Sequence, residues 1–483
     1  MSTTSALKNP SILYQSPNIH HALPSVVEHF KREGESQGNG VKGLRVTGPS
    51  AKGESLFTRK MGFLLNSHRW LLWLPVSEYP ISKEGEMNSG AHAQANFDAP
   101  ELYGIAAGQV RNLQLLTPDG AKIGVWHALP EAVYVRHLRK STNSSGSLLE
   151  AHTGSIPLKV FENALRTHKT VLYSHGNAAS RAQSSRTALL RALSGSTYGA
   201  CDEGLNFVIY DYRGFADSSP ASIFPPSEEG LIKDARTVWN YITSVGAHPK
   251  NISIVGQSLG TGVSAALAHQ LITEENLSPN SLCLIAPFTS IPELLSSLIT
   301  TPDLTLSILP EETYSLFKFI PILQPLSFFP KTQSWLLDTF LTTHFNTKSL
   351  IPSITANIML IHAQDDIDVD PSHSTSLFEY IHEHHSTNAS SAGREGLPIV
   401  LPTTHTQAHL SSSSSMLSTS DGRFKPPITT TEIRNYGTVH QFSRFHTRSQ
   451  VLFLDAKQGG HNRVGYSGTA LRAIADLICN PSP

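Results

Sequence analysis

From residue 110 onward, short apolar runs bounded by Gly, Pro and polar residues alternate with longer stretches whose apolar positions recur at helical spacing. Val110-Arg111-Asn112-Leu113-Gln114-Leu115-Leu116, the turn Thr117-Pro118-Asp119-Gly120 and Ala121-Lys122-Ile123-Gly124-Val125-Trp126 predict a β-hairpin. Beyond it the pattern predicts strands over 170–174, 205–212, 251–257, 281–286, 357–362 and 450–454. The helices expected between and after them lie near 183–194, 228–245, 260–276, in a long excursion after 286, and at 371–385 and 467–479. Strand–helix alternation of this kind implies an α/β protein with a mostly parallel sheet and helices on both faces.

The most informative punctuation in this pattern is Gly256-Gln257-Ser258-Leu259-Gly260, which follows the apolar run Ile252-Ser253-Ile254-Val255. A serine on a strand-to-helix turn needs small neighbours, because the turn crowds its backbone, and G-x-S-x-G supplies them. The next stretch, Gly260 to Leu271, has small residues in its first turns and aims a helix N-terminus at developing negative charge. Ser258 is therefore the candidate nucleophile.

A serine hydroxyl needs a base and an acid to orient that base, and candidates for both follow in the chain. The strand over 357–362 ends in Gln364-Asp365-Asp366-Ile367-Asp368-Val369-Asp370, which offers four carboxylates at the strand end where α/β sheets keep their chemistry. His461 lies in the Gly-flanked segment Gln458-Gly459-Gly460-His461-Asn462 after the last strand, where a base belongs. An oxyanion hole takes one N–H from the residue after the nucleophile, Leu259, and one from the loop after an earlier strand, where His175-Gly176-Asn177 offers Asn177. Asp211-Tyr212-Arg213-Gly214, at another strand end, reads as structural.

HGN at 175–177, DYRG at 211–214, GQSLGTG at 256–262, HAQDD at 362–366, GGHNRVGY at 459–466 and PDGAKIGVWHALP at 118–130 together resemble the α/β-hydrolase superfamily. The combination is most similar to its branch of lysophospholipid and monoacylglycerol lipases, which includes α/β-hydrolase domain-containing protein 12. The likeness covers roughly residues 100–483 apart from one insertion. It implies the α/β-hydrolase fold, a triad of Ser258, Asp366 and His461, and a single-chain lipid ester as small-molecule substrate. Asp365, Asp368 and Asp370 are the competing acids, and Ile367 stands where the family tends to carry a proline. The same triad serves thioesters and peptide-like amides. A hydrolase-fold protein that binds lipid or a partner without catalysis is the rival from another class.

Composition sets outer limits. A length of 483 residues, with 39% hydrophobic and 16% charged, permits a large core, and a net charge of −1 gives no electrostatic case for nucleic acid. Cys201, Cys283 and Cys479 predict neither a disulfide framework nor a metal site, and no cofactor or metal is expected. The expected organisation is an N-terminal extension over 1–100, partly disordered, and a hydrolase domain over 101–483 with an apolar cap at about 288–350. A Ser-, Thr- and His-rich insertion at about 386–447 is expected to be largely disordered. The apolar segment 61–75, interrupted by Asn66-Ser67-His68-Arg69, is too short to span a bilayer and is a candidate for peripheral membrane contact. The expected location is the cytoplasm or a membrane surface, with the endoplasmic reticulum membrane implied by the resemblance. Oligomeric state is not legible.

Overall fold

The computed structural model describes residues 96–141, 155–196, 201–300, 341–385 and 423–480, apart from a few single positions, with short pieces at 12–13, 328–337 and 387–388. The hairpin strands are β1 (Val110–Leu116) and β2 (Lys122–Ala128). They are followed by β3 (Thr170–Ser174), β4 (Asn206–Tyr210), β5 (Ile252–Gln257), β6 (Ser281–Ile285) and β7 (Asn357–Ala363). Last come β8 (Thr429–Ile433), β9 (Gly437–Ser443) and β10 (Gln450–Ala456). All ten join one sheet in the order β1-β2-β4-β3-β5-β6-β7-β10-β9-β8, and the pair Ile12–Leu13 lies against the outer edge of β1. The six central strands, β4 through β10, run parallel, while β1 and β2 at one side and β9 and β8 at the other are antiparallel additions. This is the α/β-hydrolase architecture expected from the motifs.

The principal helices are α1 (Glu131–Ser141), α2 (Leu158–Thr167), α3 (Ser184–Ser194), α4 (Glu228–Ser244) and α5 (Leu259–Glu275), then α6 (Ile291–Thr300), α7 (Ser372–His384) and α8 (Gly468–Cys479). Strand residues alternate between two cores. Leu172, Val208, Ile254, Leu284 and Leu360 pack with Leu231 and Val238 of α4 and Val263 and Leu267 of α5. Val171, Tyr173, Val255, Cys283 and Ile361 face the other way, against Leu190 of α3 and Leu471 and Ile474 of α8. Both faces of each central strand are covered, which explains why these strands read as continuous apolar runs. Ser227 caps α4 by accepting from Gly230 N–H, with Glu228 and Glu229 in the first turn, and Ser467 caps α8 by accepting from Ala470 N–H.

Two expectations need correction. The C-terminal part of the insertion is not irregular: β8 and β9 form a hairpin that extends the main sheet, with Ile433 opposite Gly437 and Val439 opposite Leu454 of β10. Its β-branched run, Ile428-Thr429-Thr430-Thr431, is polar enough to pass for a solvated loop, and the turn signal is Asn435 in the left-handed region at φ 60°. The stretch 391–420, with its run of five consecutive serines at 411–415, lies outside the described residues. The cysteines are also not all independent, because a disulfide joins Cys201 to Cys479 across Cα atoms 5.6 Å apart, while Cys283 is free and buried. A separation of 278 residues gives a sequence pattern no purchase on such a pair. Most of the cap and the whole of 61–75 lie outside the described residues. Among the described residues no helix is long and apolar enough to cross a membrane.

Candidate active site

The strand order creates the site. After β3 the chain adds β4 on one side and then β5 on the other, so the C-terminal ends of β3 and β5 lie side by side, with Ser174 paired to Gly256. Such a reversal leaves a crevice at the strand ends. The loop 175–177 leaves β3 at this crevice, and Ser258 follows β5 there.

Ser258 stands between strand and helix at φ 52° and ψ −121°, which side-chain-bearing residues rarely adopt. Its N–H donates to Ile285 O at 2.9 Å, and Thr261 Oγ1 donates to Ser258 O at 2.6 Å. The flanking glycines are sterically required. A Cβ on Gly256 would come within 2.6 Å of the Gly260 carbonyl carbon, and one on Gly260 within 2.6 Å of the Ser174 carbonyl carbon. Ser258 itself is half-buried.

The acid and base loops come together from the ends of β7 and β10, which pair in parallel. His461, in the short helix Gly460–Arg463, has Nδ1 at 2.9 Å from Asp366 Oδ2. The other oxygen of Asp366 accepts from the N–H groups of Asp368, at 2.9 Å, and Val369, at 3.0 Å. Two of the three competing acids are used otherwise. Asp365 accepts from Gly460 N–H at 2.7 Å, tying the two loops together, and Asp370 accepts from Ser372 N–H at the start of α7. Asp368 lies beside Asp366 and His461, with a carboxylate oxygen within 4.8 Å of a side-chain polar atom of each, and burial raises its pKa.

Two side chains at this site were missed in the sequence. His362, fully buried at the end of β7, has Nε2 at 3.1 Å from Asp366 Oδ2 and 3.0 Å from Val369 O. Both partners are acceptors, so Nε2 carries a proton, and Nδ1 accepts from Ser374 Oγ at 2.6 Å. Burial alone would raise Asp366, but the hydrogen bonds from His362 and His461 outweigh it and hold the carboxyl well below its ordinary value. Gln257 accepts from Tyr173 OH at 2.7 Å and donates to His461 O at 3.2 Å, so the residue before Ser258 is tied to the backbone of His461. His362 had two signals, its place inside the apolar strand Asn357-Ile358-Met359-Leu360-Ile361-His362-Ala363 and its position at the head of the HAQDD motif at 362–366, but neither assigned it a role. Gln257 had none beyond its place in the pentapeptide.

Beside the serine, a Cβ placed on Gly176 would lie 3.3 Å from Ser258 Cβ and 3.9 Å from its Oγ. The loop carrying Asn177 therefore runs close against Ser258, and Leu259 begins α5 next to it, nearly buried. The Asp211-Tyr212-Arg213-Gly214 segment supports this loop from below. Tyr212 OH donates to His175 O at 2.7 Å, and Asp211 accepts from Arg181 N–H at 2.8 Å and pairs with the Arg181 guanidinium. Burial would raise Asp211, but Arg181 and His175 hold it down at about 2.

The model of a family described as serine aminopeptidase, S33, matches residues 193–314, a span that includes Ser258 but neither Asp366 nor His461. The chain is 30% identical to the lysophosphatidylserine lipase ABHD12 of Gallus gallus over 259 residues, 53% of this chain and 54% of that protein. It is 33% identical to the lysophosphatidylserine lipase ABHD12 of Danio rerio over 183 residues, 38% of this chain and 40% of that protein. It is 30% identical to ABHD12B of Homo sapiens over 200 residues, 40% of this chain and 47% of that protein. The chain thus spans about half the length, or less, of the curated relatives it matches. The resemblance drawn from the motifs stands as a relationship in sequence.

Proposed function

We propose that this protein is a serine hydrolase that cleaves carboxylic esters of single-chain lipids, of the lysophospholipid or monoacylglycerol type, through an acyl-enzyme. The observation that carries the proposal is the 2.9 Å bond from His461 Nδ1 to the Asp366 carboxylate, on loops tied through Gln257 to the strained turn that presents Ser258. Asp366 keeps the proton on Nδ1 and leaves Nε2 of His461 as the base. Nε2 takes the proton of Ser258, Oγ attacks the ester carbonyl, and the N–H groups of Leu259 and Asn177 receive the oxyanion. His461 returns the proton to the leaving alcohol, and a water molecule then releases the fatty acid by the same steps. The lipid preference rests on the relatives named lipases, while the aminopeptidase description of the matched family keeps amide cleavage as the second reading.

The direct test is labelling with a fluorophosphonate, which reacts with an activated serine. The expected result is one adduct on the peptide that carries Ser258, absent from Ser258→Ala. Folded protein that takes no label would overturn the enzyme reading in favour of a binding protein. A panel of lysophospholipids, monoacylglycerols, acyl thioesters and aminoacyl amides then assigns the substrate, and turnover confined to amides would sink the lipid reading.

The pH dependence follows from His461. Burial alone would lower its pKa, but the Asp366 hydrogen bond and the charges of Asp366 and Asp368 outweigh burial and raise it above the ordinary 6.5. The protonated imidazole cannot act as base, so activity rises with pH. The acid limb of kcat/KM is expected to have its midpoint above 6.5. A midpoint at or below that value would contradict the arrangement.

A further inference from the structure

We infer that Arg186 is a positioning residue for the oxyanion hole, acting on the peptide plane between Gly176 and Asn177. The inference rests on the proposal that Asn177 N–H receives the oxyanion. Arg186 lies in the first turn of α3 and is only 4% exposed, so it reaches no solvent-borne ligand. Its guanidinium points back under the loop that leaves β3. Nη2 donates to Gly176 O at 3.2 Å and Nη1 to Ser180 O at 2.8 Å, so one planar group grips both ends of the segment 176–180. His175 Nδ1, at 2.7 Å, donates to the same Gly176 oxygen.

The consequence follows from peptide geometry. A trans peptide is planar, with its C=O and the following N–H pointing in opposite directions. Two donors that hold Gly176 O toward the protein interior therefore turn Asn177 N–H outward, away from α3. Gly176 itself runs against Ser258, where a Cβ would approach Ser258 Cβ to 3.3 Å. The outward direction is thus the cleft above the nucleophile. Glycine leaves the backbone free to flip, so the orientation depends on the donors that hold the Gly176 oxygen, His175 from within the loop and Arg186 from α3. Burying a guanidinium is costly, and the Arg186 pKa is lowered by that burial, yet it remains a cation. Its positive charge stands behind the peptide that faces the developing oxyanion, so field and geometry favour the same state.

Arg186→Met keeps the length of the side chain and removes the donors. The expected result is a fall in kcat of roughly 10- to 100-fold with KM little changed, below the full loss expected for removing an oxyanion donor outright. The midpoint of the acid limb should not move, since His461 is untouched. Binding of a trifluoromethyl ketone, which forms an oxyanion on Ser258, should weaken by the same factor as kcat. Arg186→Lys, which retains charge and one donor, should recover part of the loss, and it serves as the informative variant if the methionine variant fails to fold. Folded Arg186→Met or Arg186→Lys with wild-type kcat and wild-type ketone affinity would overturn the inference. Equal losses in substrate and ketone affinity with kcat unchanged would reduce Arg186 to a structural role. Failure of the underlying function is distinguishable, because the wild type would then show neither label on Ser258 nor turnover.

Discussion

Asp366→Asn is expected to lower kcat by about four powers of ten while leaving KM within a few-fold of wild type. The carboxylate now accepts four hydrogen bonds, two per oxygen: Oδ1 from the N–H groups of Asp368 and Val369, Oδ2 from His461 and His362. An amide cannot serve both sides. With its oxygen toward the backbone, the NH2 group faces two histidine N–H groups; with its oxygen toward the histidines, the NH2 group faces two backbone N–H groups. The first orientation is the less costly, because His461 can respond by moving its proton to Nε2. That tautomer can no longer act as base toward Ser258. His362 has less freedom, since its Nε2 also donates to Val369 O and its Nδ1 accepts from Ser374. Asp368→Asn is the control: its carboxyl lies beside Asp366 and His461, yet the bond to His461 belongs to Asp366, so a loss of less than about tenfold is expected. Kinetics of both variants across pH decide the matter, and a larger loss from Asp368→Asn than from Asp366→Asn would reassign the acid.

What the sequence made legible follows from range. Strands β3, β5, β6 and β7 are buried on both faces, so their composition alone marked them, and predicted and observed limits agree to within a residue or so. Ser258 was visible because the steric demand of its turn falls on neighbours two positions away, Gly256 and Gly260. The acid was a different case: four carboxylates within six residues are equivalent until tertiary structure assigns Asp365 to Gly460, Asp370 to Ser372 and Asp366 to His461. His362, Gln257 and Arg186 were missed for a related reason. Each acts through hydrogen bonds that only the folded loops create, from Gln257 to segments far along the chain and from His362 and Arg186 to nearby turns, and its type has commoner uses. Helices α1 and α2, between β2 and β3, were not anticipated, although Leu158, Phe161, Ala164 and Leu165 of α2 do recur at helical spacing and three of them are buried. The β8–β9 hairpin escaped because its outward strand is mostly exposed, which leaves a polar run of threonines.

Gly260→Ala should unfold the site or the whole domain, at a cost of at least about 3 kcal/mol, beyond the ordinary range for overpacking. The added methyl would meet backbone alone: the Ser174 carbonyl carbon at 2.6 Å and His175 O at 2.8 Å. A side chain could swing aside, but these atoms belong to the end of β3, held in the sheet by β4 on one side and β5 on the other. Relief would require α5 to withdraw from the sheet. That helix carries Val263, Leu267 and Leu271 into the core, so a shift large enough to clear the clash would strip their packing. The same movement would separate Ser258 from Gly176 and misplace Leu259 N–H. Gly468→Ala, at the first residue of α8 with nothing within 4 Å of the added carbon, is the matching control. Alanine favours a helix over glycine, so that variant should be neutral or slightly stabilised. Thermal unfolding of the two variants alongside wild type measures the difference. A Gly260→Ala protein with wild-type melting temperature and turnover would mean that α5 does not sit against β3 as closely as described.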